Sequence, residues 1–428
     1  MKVLLMSVGS RGDMEPFLAQ AHILRAAGHE VHCAFPEQFR APTEQDGFIF
    51  HSLGSRFLEL IEGEPSKQIM SGTGSRWSRM KALWTVIQNS RGIIRELLDL
   101  QFRILNALQA DRVLYHPKCT LCTIWEMAHP GTCILLSPLP CILHPTERFG
   151  TIGIRGVVDR GPFWNRMSFH FTNAIRIISL QLTARKYIRQ FKGLKMGFRR
   201  IWRSLLHEGK AMYTFSPSVF PAPKIWPEQV KVVGYFERDK TQHWSPDRAL
   251  IQFLEDYPKP LFISFGSMVN NDPAGKTQIL LEVLQKLEIP AIINESWGGL
   301  EQPEEHPEFI HFVKNVPYDW LFPQVSAVVH HGGSGTTHTG LKYGCPTLVI
   351  PHIVDQFLWN KVIHELGVGP LGVPIEKLKR DSFEFLVSDL YDNKAYREKA
   401  AQLANNMDQE HNQQAVLDFV LSPKIVAF

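Results

Sequence analysis

VVHHGGSGTTHTGLKYGCPTLVIPHIVDQFLWN, residues Val328 to Asn360, decides the fold. It opens within the apolar run Ala327-Val328-Val329, which has the character of the end of a buried strand. A glycine-rich turn follows, His331-Gly332-Gly333-Ser334-Gly335-Thr336-Thr337, then a helical segment, a Gly344-Cys345-Pro346 break and a second apolar run, Thr347 to Ile350. Strand, glycine-rich turn and helix together present free backbone N–H groups to an anion, and the positive end of the helix dipole adds to the attraction. His331 adds a hydrogen bond or partial charge to the same anion. The polar tip Asp355-Gln356 comes after the next strand and so falls at the same carboxyl edge, where doubly wound sheets bind ligands. An acid beside an amide suits a ligand with several hydroxyls, such as a sugar.

The same logic recurs toward the N-terminus. Val3 to Val8 is a near-continuous apolar run, as a buried parallel strand requires, and the turn Gly9-Ser10-Arg11-Gly12-Asp13 follows it. Phe17 to Ala27 has helical spacing, Gly28 stops it, and Glu30 to Ala34 is the next strand. The turn lacks the G-x-G-x-x-G spacing of a dinucleotide site, and no acid ends the second strand. Trp77 to Ala110 reads as helix and Arg112 to His116 as strand, with His116-Pro117-Lys118 its outgoing loop. Cys133 to Ser137 is another strand, leading into the Pro-rich loop Pro138–Pro145. Tyr213 to Ser216 reads as strand. Further on, Leu261 to Phe265, Ala291 to Asn294 and Phe309 to Lys314 read as strands, and Gln278 to Leu287, Lys399 to Met407 and Gln413 to Leu421 as helices. The expectation is an α/β chain with two Rossmann-like units facing across a cleft: 1–215, a proline-bearing linker 216–240, 241–405, and a closing segment 406–428.

Length and composition agree. A chain of 428 residues exceeds one typical core. Its net charge of +4 is too mild for bulk nucleic-acid binding. Six cysteines are sparse, which fits a reducing compartment, and Cys119-x-x-Cys122 reads as packing because no second pair completes a metal site. The N-terminus reads as a first strand rather than a signal peptide, and no apolar stretch is long enough to span a membrane. The expectation is a cytoplasmic protein. Arg185 to Arg203 carries eight basic residues and no acid, with apolar residues near helical spacing among them. That pattern is either a packed surface helix or peripheral contact with the inner membrane face.

The motifs HHGGSGTT, GCPTLVIPHIVDQ, FISFGSM, WGGL and GSRGDMEPF resemble, in order, those of the sterol- and antibiotic-type glycosyltransferases of the GT-B fold. The resemblance implies a nucleotide-sugar donor held by His331, Gly333, Ser334, Gly335, Thr336, Ser10 and Ser267. It also implies a nucleobase near Trp297 and Val316, hexose hydroxyls on Asp355 and Gln356, and a weaker contact from Asn360. His330 is expected to be buried or second in line. It implies inversion at the anomeric carbon, most simply from UDP-glucose, although no residue excludes a dTDP-sugar. The last helix is expected to cross back to the first unit.

Asp13 has two readings: cap of a helix starting near Glu15-Pro16, or the general base that deprotonates an acceptor hydroxyl. The family match favours the base, with His331 as the second catalytic residue. No histidine occupies the first loop, so a His–Asp relay is not expected. The acceptor is expected to be lipophilic (sterol, carotenoid, glycolipid, flavonoid or polyketide), with His116, Leu139, Leu143 and His144 in its pocket. No Asp-x-Asp occurs, so no metal and no cofactor beyond the co-substrate is expected. The competing readings are an epimerase or hydrolase of the same fold, and a non-catalytic lipid- or sugar-binding module.

Overall fold

The computed structural model describes residues 1–63, 76–153, 156–191, 196–242, 244–266, 268, 270, 272–295, 299–410 and 412–422. Ser267 and Trp297, two of the expected donor contacts, and part of the basic stretch lie outside them.

Two parallel sheets carry the chain. The first contains β1 (Lys2–Met6), β2 (Glu30–Phe35), β3 (Ile49–Ser52), β4 (Arg112–Tyr115), β5 (Cys133–Ser137), β6 (Lys210–Tyr213) and β7 (Val230–Val232), in the order β3-β2-β1-β4-β5-β6-β7. The second contains β8 (Leu261–Ser264), β9 (Ala291–Asn294), β10 (Ile310–Val313), β11 (Ala327–His330) and β12 (Thr347–Val349), in the order β10-β9-β8-β11-β12. Each sheet is wound outward from its first strand in both directions. The order therefore reverses beside β1 in one sheet and beside β8 in the other, leaving a crevice at the carboxyl edge of each. Met6 pairs with Tyr115 and Ser264 with His330, so the residues that follow these strands emerge side by side.

The helices that matter to the site are α1 (Arg11–Ala26), α2 (Arg76–Leu108), α3 (Pro162–Thr183), α4 (Phe198–Arg203), α5 (Ser334–Lys342), α6 (Gln356–Leu366) and α7 (Gln413–Leu421). α1 starts six residues before the helical spacing predicted and includes Pro16 in its interior. The 22-residue α3 was not expected at all. The basic stretch is not one amphipathic helix. A short turn of helix spans Arg185–Ile188, α4 spans Phe198–Arg203, and Tyr187 and Ile201 are buried inward.

The boundary between units also shifts. β7 pairs with β6, so the first unit runs to Val232, inside the stretch expected to be linker. β6 itself begins at Lys210 rather than Tyr213. A buried strand opening on lysine is tolerated because the ammonium donates to the Ser422 carbonyl (3.0 Å), the Ser422 hydroxyl (2.9 Å) and the Phe419 carbonyl at the end of α7. A cation there complements the negative end of the helix dipole. Arg112 also reaches α7, with Nε 3.0 Å from the Val420 carbonyl, and Val416 and Val420 join the core formed by Val3, Leu5 and Leu18. The chain thus returns to its first unit after completing the second.

The units share apolar packing: Leu358, Trp359 and Val362 of α6 belong to one buried cluster with Leu4, Tyr115 and Phe149. In the linker, adjacent side chains grip opposite units. Arg238 pairs with Glu15 (3.0 Å) and Asp46 (3.2 Å) of the first, while Glu237 takes Lys342, Thr339 and Tyr343 of the second. At the return crossing, Glu410 accepts from the Ser216 hydroxyl (3.1 Å) and the Ser218 N–H (2.9 Å). All six cysteines are buried and unpaired, Cys119 and Cys122 among them, and burial holds both of those thiols protonated.

Candidate active site

Asp13 is the third residue of α1, and Ser10 is the N-cap. Its Oδ2 accepts the Ser10 backbone N–H at 2.8 Å, the reach-back bond of a capping box. The capping reading is therefore correct in kind, but the carboxylate does more. Lys118 Nζ stands 3.0 Å from each oxygen, and His116 Nε2 stands 3.1 Å from Oδ1, off the line of a hydrogen bond. No histidine stands in the first loop to form a relay. The fold supplies one from the neighbouring strand, because β4 ends beside β1. His116 Nδ1 accepts the Lys118 backbone N–H at 3.2 Å, so in the neutral ring the proton sits on Nε2, facing Asp13.

Burial works to raise the Asp13 pKa, but the Lys118 charge and the His116 contact outweigh it and hold the carboxyl well below its usual range. Burial pushes the His116 pKa down, against the pull of Asp13. The Asp13 side chain stays 15% exposed while that of His116 is 3% exposed, so only the carboxylate is open to a substrate. This corrects the expectation that His116 lines an acceptor pocket: it is a buried partner of Asp13. Gly9, at φ +134°, makes the cluster possible, because a side-chain carbon there would stand 2.1 Å from Asp13 Oδ2 and 2.7 Å from Lys118 Nζ.

The second unit repeats this arrangement with different chemistry. His331 follows β11, and the loop after β8 crosses it at Gly266, where a side-chain carbon would come within 2.6 Å of the ring. Burial pushes the His331 pKa down to about 4, so the ring is neutral at physiological pH, and its Nδ1 has no hydrogen-bond partner. His330 is buried, and its Nδ1 accepts the Gly332 N–H at 2.9 Å, which fixes the turn. Helix α5 then begins at Ser334 with no side-chain cap, leaving the N–H groups of its first turn, Ser334, Gly335 and Thr336, without an internal partner. The Ser334 hydroxyl donates to the Pro138 carbonyl of the first unit at 3.1 Å, which brings the glycine-rich turn against the other half of the cleft.

Asp355 precedes α6. Burial, with the Asp13 charge adding to it, pushes its pKa up to about 7, and Lys118 acts in the opposite direction. Asp355 thus lies within electrostatic reach of the Asp13–Lys118 cluster across the cleft. Gln356 is buried; its Oε1 accepts the N–H groups of His352 (2.7 Å) and Ile353 (2.9 Å), and its amide nitrogen donates to the Met268 sulfur at 3.1 Å. Asn360 is corrected: it is buried and exchanges two hydrogen bonds with the Gly372 backbone, at 2.8 and 2.9 Å, so it offers the cleft nothing. Val316 is buried beyond the end of β10, packed with Leu321 and Phe322.

The Pro138–Pro145 loop is only partly the wall expected. His144 is buried, with Nδ1 2.7 Å from the Tyr213 hydroxyl, and burial pushes its pKa down to about 3; it is a core residue. Leu139 is partly buried against the core. Leu143 does line a narrow cavity, together with Tyr115, Pro117, Arg176, Ile177 and Leu180. The far side of that cavity is the inner face of α3, an element the sequence reading missed. Lys118 was also missed, although it stood in the outgoing loop of β4. Among the described residues, no group of three His, Cys, Asp or Glu could hold a metal ion.

Comparison with known proteins agrees with this arrangement. Residues 3–123 match the glycosyltransferase family 28 N-terminal domain, and residues 278–421 match the erythromycin biosynthesis protein CIII-like C-terminal domain. The chain is 30% identical over 423 residues to sterol 3-beta-glucosyltransferase UGT80A2 of Arabidopsis thaliana, covering 96% of this chain and 63% of the relative. With UGT80B1 of the same plant it shares 30% identity, covering 98% and 67%. A sterol 3-beta-glucosyltransferase of Kluyveromyces lactis is 28% identical, but the chain spans only 33% of it. Among solved structures, the kitacinnamycin glycotransferase superposes with a TM-score of 0.69 at 17% identity, covering 98% and 97% of the two chains. The spinosyn rhamnosyltransferase SpnG, complexed with thymidine diphosphate, superposes at 0.64 and 18%, covering 99% and 100%. With two parallel Rossmann-like sheets, an uncapped glycine-rich turn in the second and plant relatives aligned along nearly its whole length, this chain belongs to the GT-B glycosyltransferase family that includes the sterol 3-beta-glucosyltransferases.

Proposed function

We propose that the chain is an inverting, metal-independent hexosyltransferase, taking glucose from UDP-glucose to a hydroxyl of a lipophilic small molecule. The observation that carries this reading is the confrontation of a part-exposed carboxylate, Asp13, with the uncapped N-terminus of α5 in one cleft. The diphosphate sits on the first-turn N–H groups of α5, with neutral His331 donating from its ring, and these dipoles offset the charge that develops as the leaving group departs. Asp355 and the Gln356 amide hold the hexose hydroxyls. With a pKa near 7, Asp355 can serve as donor or acceptor there.

The acceptor oxygen forms its bond to the anomeric carbon as the bond to the diphosphate oxygen breaks, and that electron pair leaves with the nucleotide. The acceptor proton passes to Asp13. A carboxylate held below its usual pKa cannot deprotonate a free alcohol in advance. It takes the proton late, once bond formation has made the hydroxyl acidic. Lys118 and His116 orient it meanwhile. The buried, unpaired cysteines fit a cytoplasmic setting.

The test is a donor screen in EDTA. Thermal stabilisation and nucleotide release are read with UDP-glucose, UDP-galactose, UDP-GlcNAc and dTDP-glucose, with and without hydrophobic alcohols. Stabilisation by UDP-glucose and release only with an acceptor are expected. Asp13→Asn should keep donor stabilisation and lose about 10²–10⁴-fold in transfer. An unchanged rate in that variant removes Asp13 as base, and turnover without any acceptor points to the epimerase or hydrolase instead.

A further inference from the structure

Helix α3 is apolar on both sides. Its inner face is occupied: Asn173 Nδ2 donates to the Leu143 carbonyl at 2.8 Å, and Arg176, Ile177 and Leu180 line the cavity behind Pro117. Its outer face is bare. Phe171, Ile175, Ile178 and Leu182 follow at spacings of four, three and four, which places them on one side of the helix, and they are 69%, 53%, 51% and 73% exposed. Phe163 and Trp164, at its start, are also exposed. A continuous apolar strip of this kind marks an interaction surface rather than ordinary surface composition.

What lies beside the strip identifies the partner. α4 packs on α3 through a stack of Trp202 on His170, with centroids 5.5 Å apart. It exposes Arg199 and Arg200, and the exposed Arg185 and Arg189 follow directly after α3. None of these four arginines makes an ion pair among the described residues, whereas Lys186, Arg166 and Arg203 are matched by Asp99, Glu147 and Glu208. Aromatic and aliphatic side chains flanked by unpaired guanidinium groups suit the interface of an anionic bilayer: apolar groups enter the acyl boundary while the charges meet the headgroups.

We propose that the outer face of α3, with α4 beside it, docks this chain on an anionic lipid bilayer. A lipophilic acceptor is then drawn from the bilayer rather than from bulk solvent. This rests on the transferase reading above for its substrate and on the surface alone for its docking.

The experiment is flotation of the full chain with phosphatidylcholine vesicles, with and without phosphatidylglycerol, at low and high salt. In parallel, nucleotide release is measured with one hydrophobic alcohol, either in vesicles or dissolved in dilute detergent. Flotation with the anionic vesicles at low salt, weakened at high salt, is expected. The double variant Phe171→Ser/Leu182→Ser should lose on the order of tenfold in vesicle partition and in turnover of the vesicle-borne alcohol. It should keep its melting temperature and its rate with the detergent-dissolved alcohol. Arg199→Glu/Arg200→Glu should remove the salt-sensitive part of binding. Failure of the natural chain to float, or equal flotation of both variants, overturns the proposal. So does light scattering that shows a dimer dissolved by the apolar variant, since the face would then belong to a second copy. In each case, a retained rate in detergent leaves the transferase reading standing.

Discussion

Gly9 is the residue on which the first unit's side of the cleft turns. At φ +134° and with Asp13 Oδ2 2.1 Å from where a side-chain carbon would stand, it cannot be replaced without moving the carboxylate or Lys118. Gly9→Ala is therefore expected to fold, at a cost of about 1–3 kcal/mol from the strained backbone. We expect it to keep donor stabilisation and to lose transfer by roughly 10²-fold, because a displacement near 1 Å suffices for that. Parallel melts and single-turnover rates check it, and a full rate with a lowered melting temperature would show that the Asp13–Lys118 contact is only structural. Asp13 itself was legible, since its motif stands in the first loop. Its partners were not: Lys118 lies 105 residues away, and only the register of β1 against β4 brings the two together. Asn360 shows the opposite failure, a polar residue in the right motif whose groups the local backbone had already claimed.

At the scale of elements, apolar periodicity located most of the strands and failed where a helix or strand breaks its usual pattern. α3 was passed over because both its faces are apolar, which removes the contrast that marks a surface helix. β6 was started late because a buried strand is not expected to open on lysine. The tie between Lys210 and α7 gives an element-level prediction. Burial pushes the Lys210 pKa down to about 8, yet its ammonium, beside Arg112 on the Val420 and Leu421 carbonyls, caps those of Phe419 and Ser422 at the end of α7. Lys210→Ala should loosen that helix and cost about 1–3 kcal/mol, because it leaves those carbonyls without their charged donor. Chemical unfolding measures the cost, and hydrogen exchange across residues 413–422 shows where it falls. A loss of stability with α7 still fully protected would place the lysine's contribution elsewhere.

For the whole molecule, two wound sheets follow from two sets of apolar runs, which is why the architecture was legible. The contacts between units, such as Ser334 on Pro138, were not, because no pattern within either half encodes them. Stability against acid is also a whole-molecule property. Burial pushes the pKa values of His144 and His352 down to about 3 and those of His331 and His338 down to about 4, from an ordinary 6.5. Between pH 6.5 and about 4 the unfolded chain takes up protons that the native chain refuses, so each ring withdraws up to ~1.4 kcal/mol per pH unit as pH falls. Asp355, raised to about 7, has the opposite slope, but it is one group against four. The melting temperature should drop steeply from pH 6.5 to 5 and level off above 7; a flat acid limb would mean that these rings protonate without unfolding. The linker and the return crossing add a mechanical consequence. Both passages of chain between the units are anchored, one by Glu237 and Arg238 gripping opposite sides, the other by Glu410 against Ser216 and Ser218. A rigid body tethered twice in this way has few independent motions left. Swivelling or sliding of one half past the other would tear those anchors, while rotation about the line joining them spares both and is opposed by the shared packing around Trp359 and the Ser334–Pro138 bond, so opening, where it occurs, is a hinge whose pins are the two tethers.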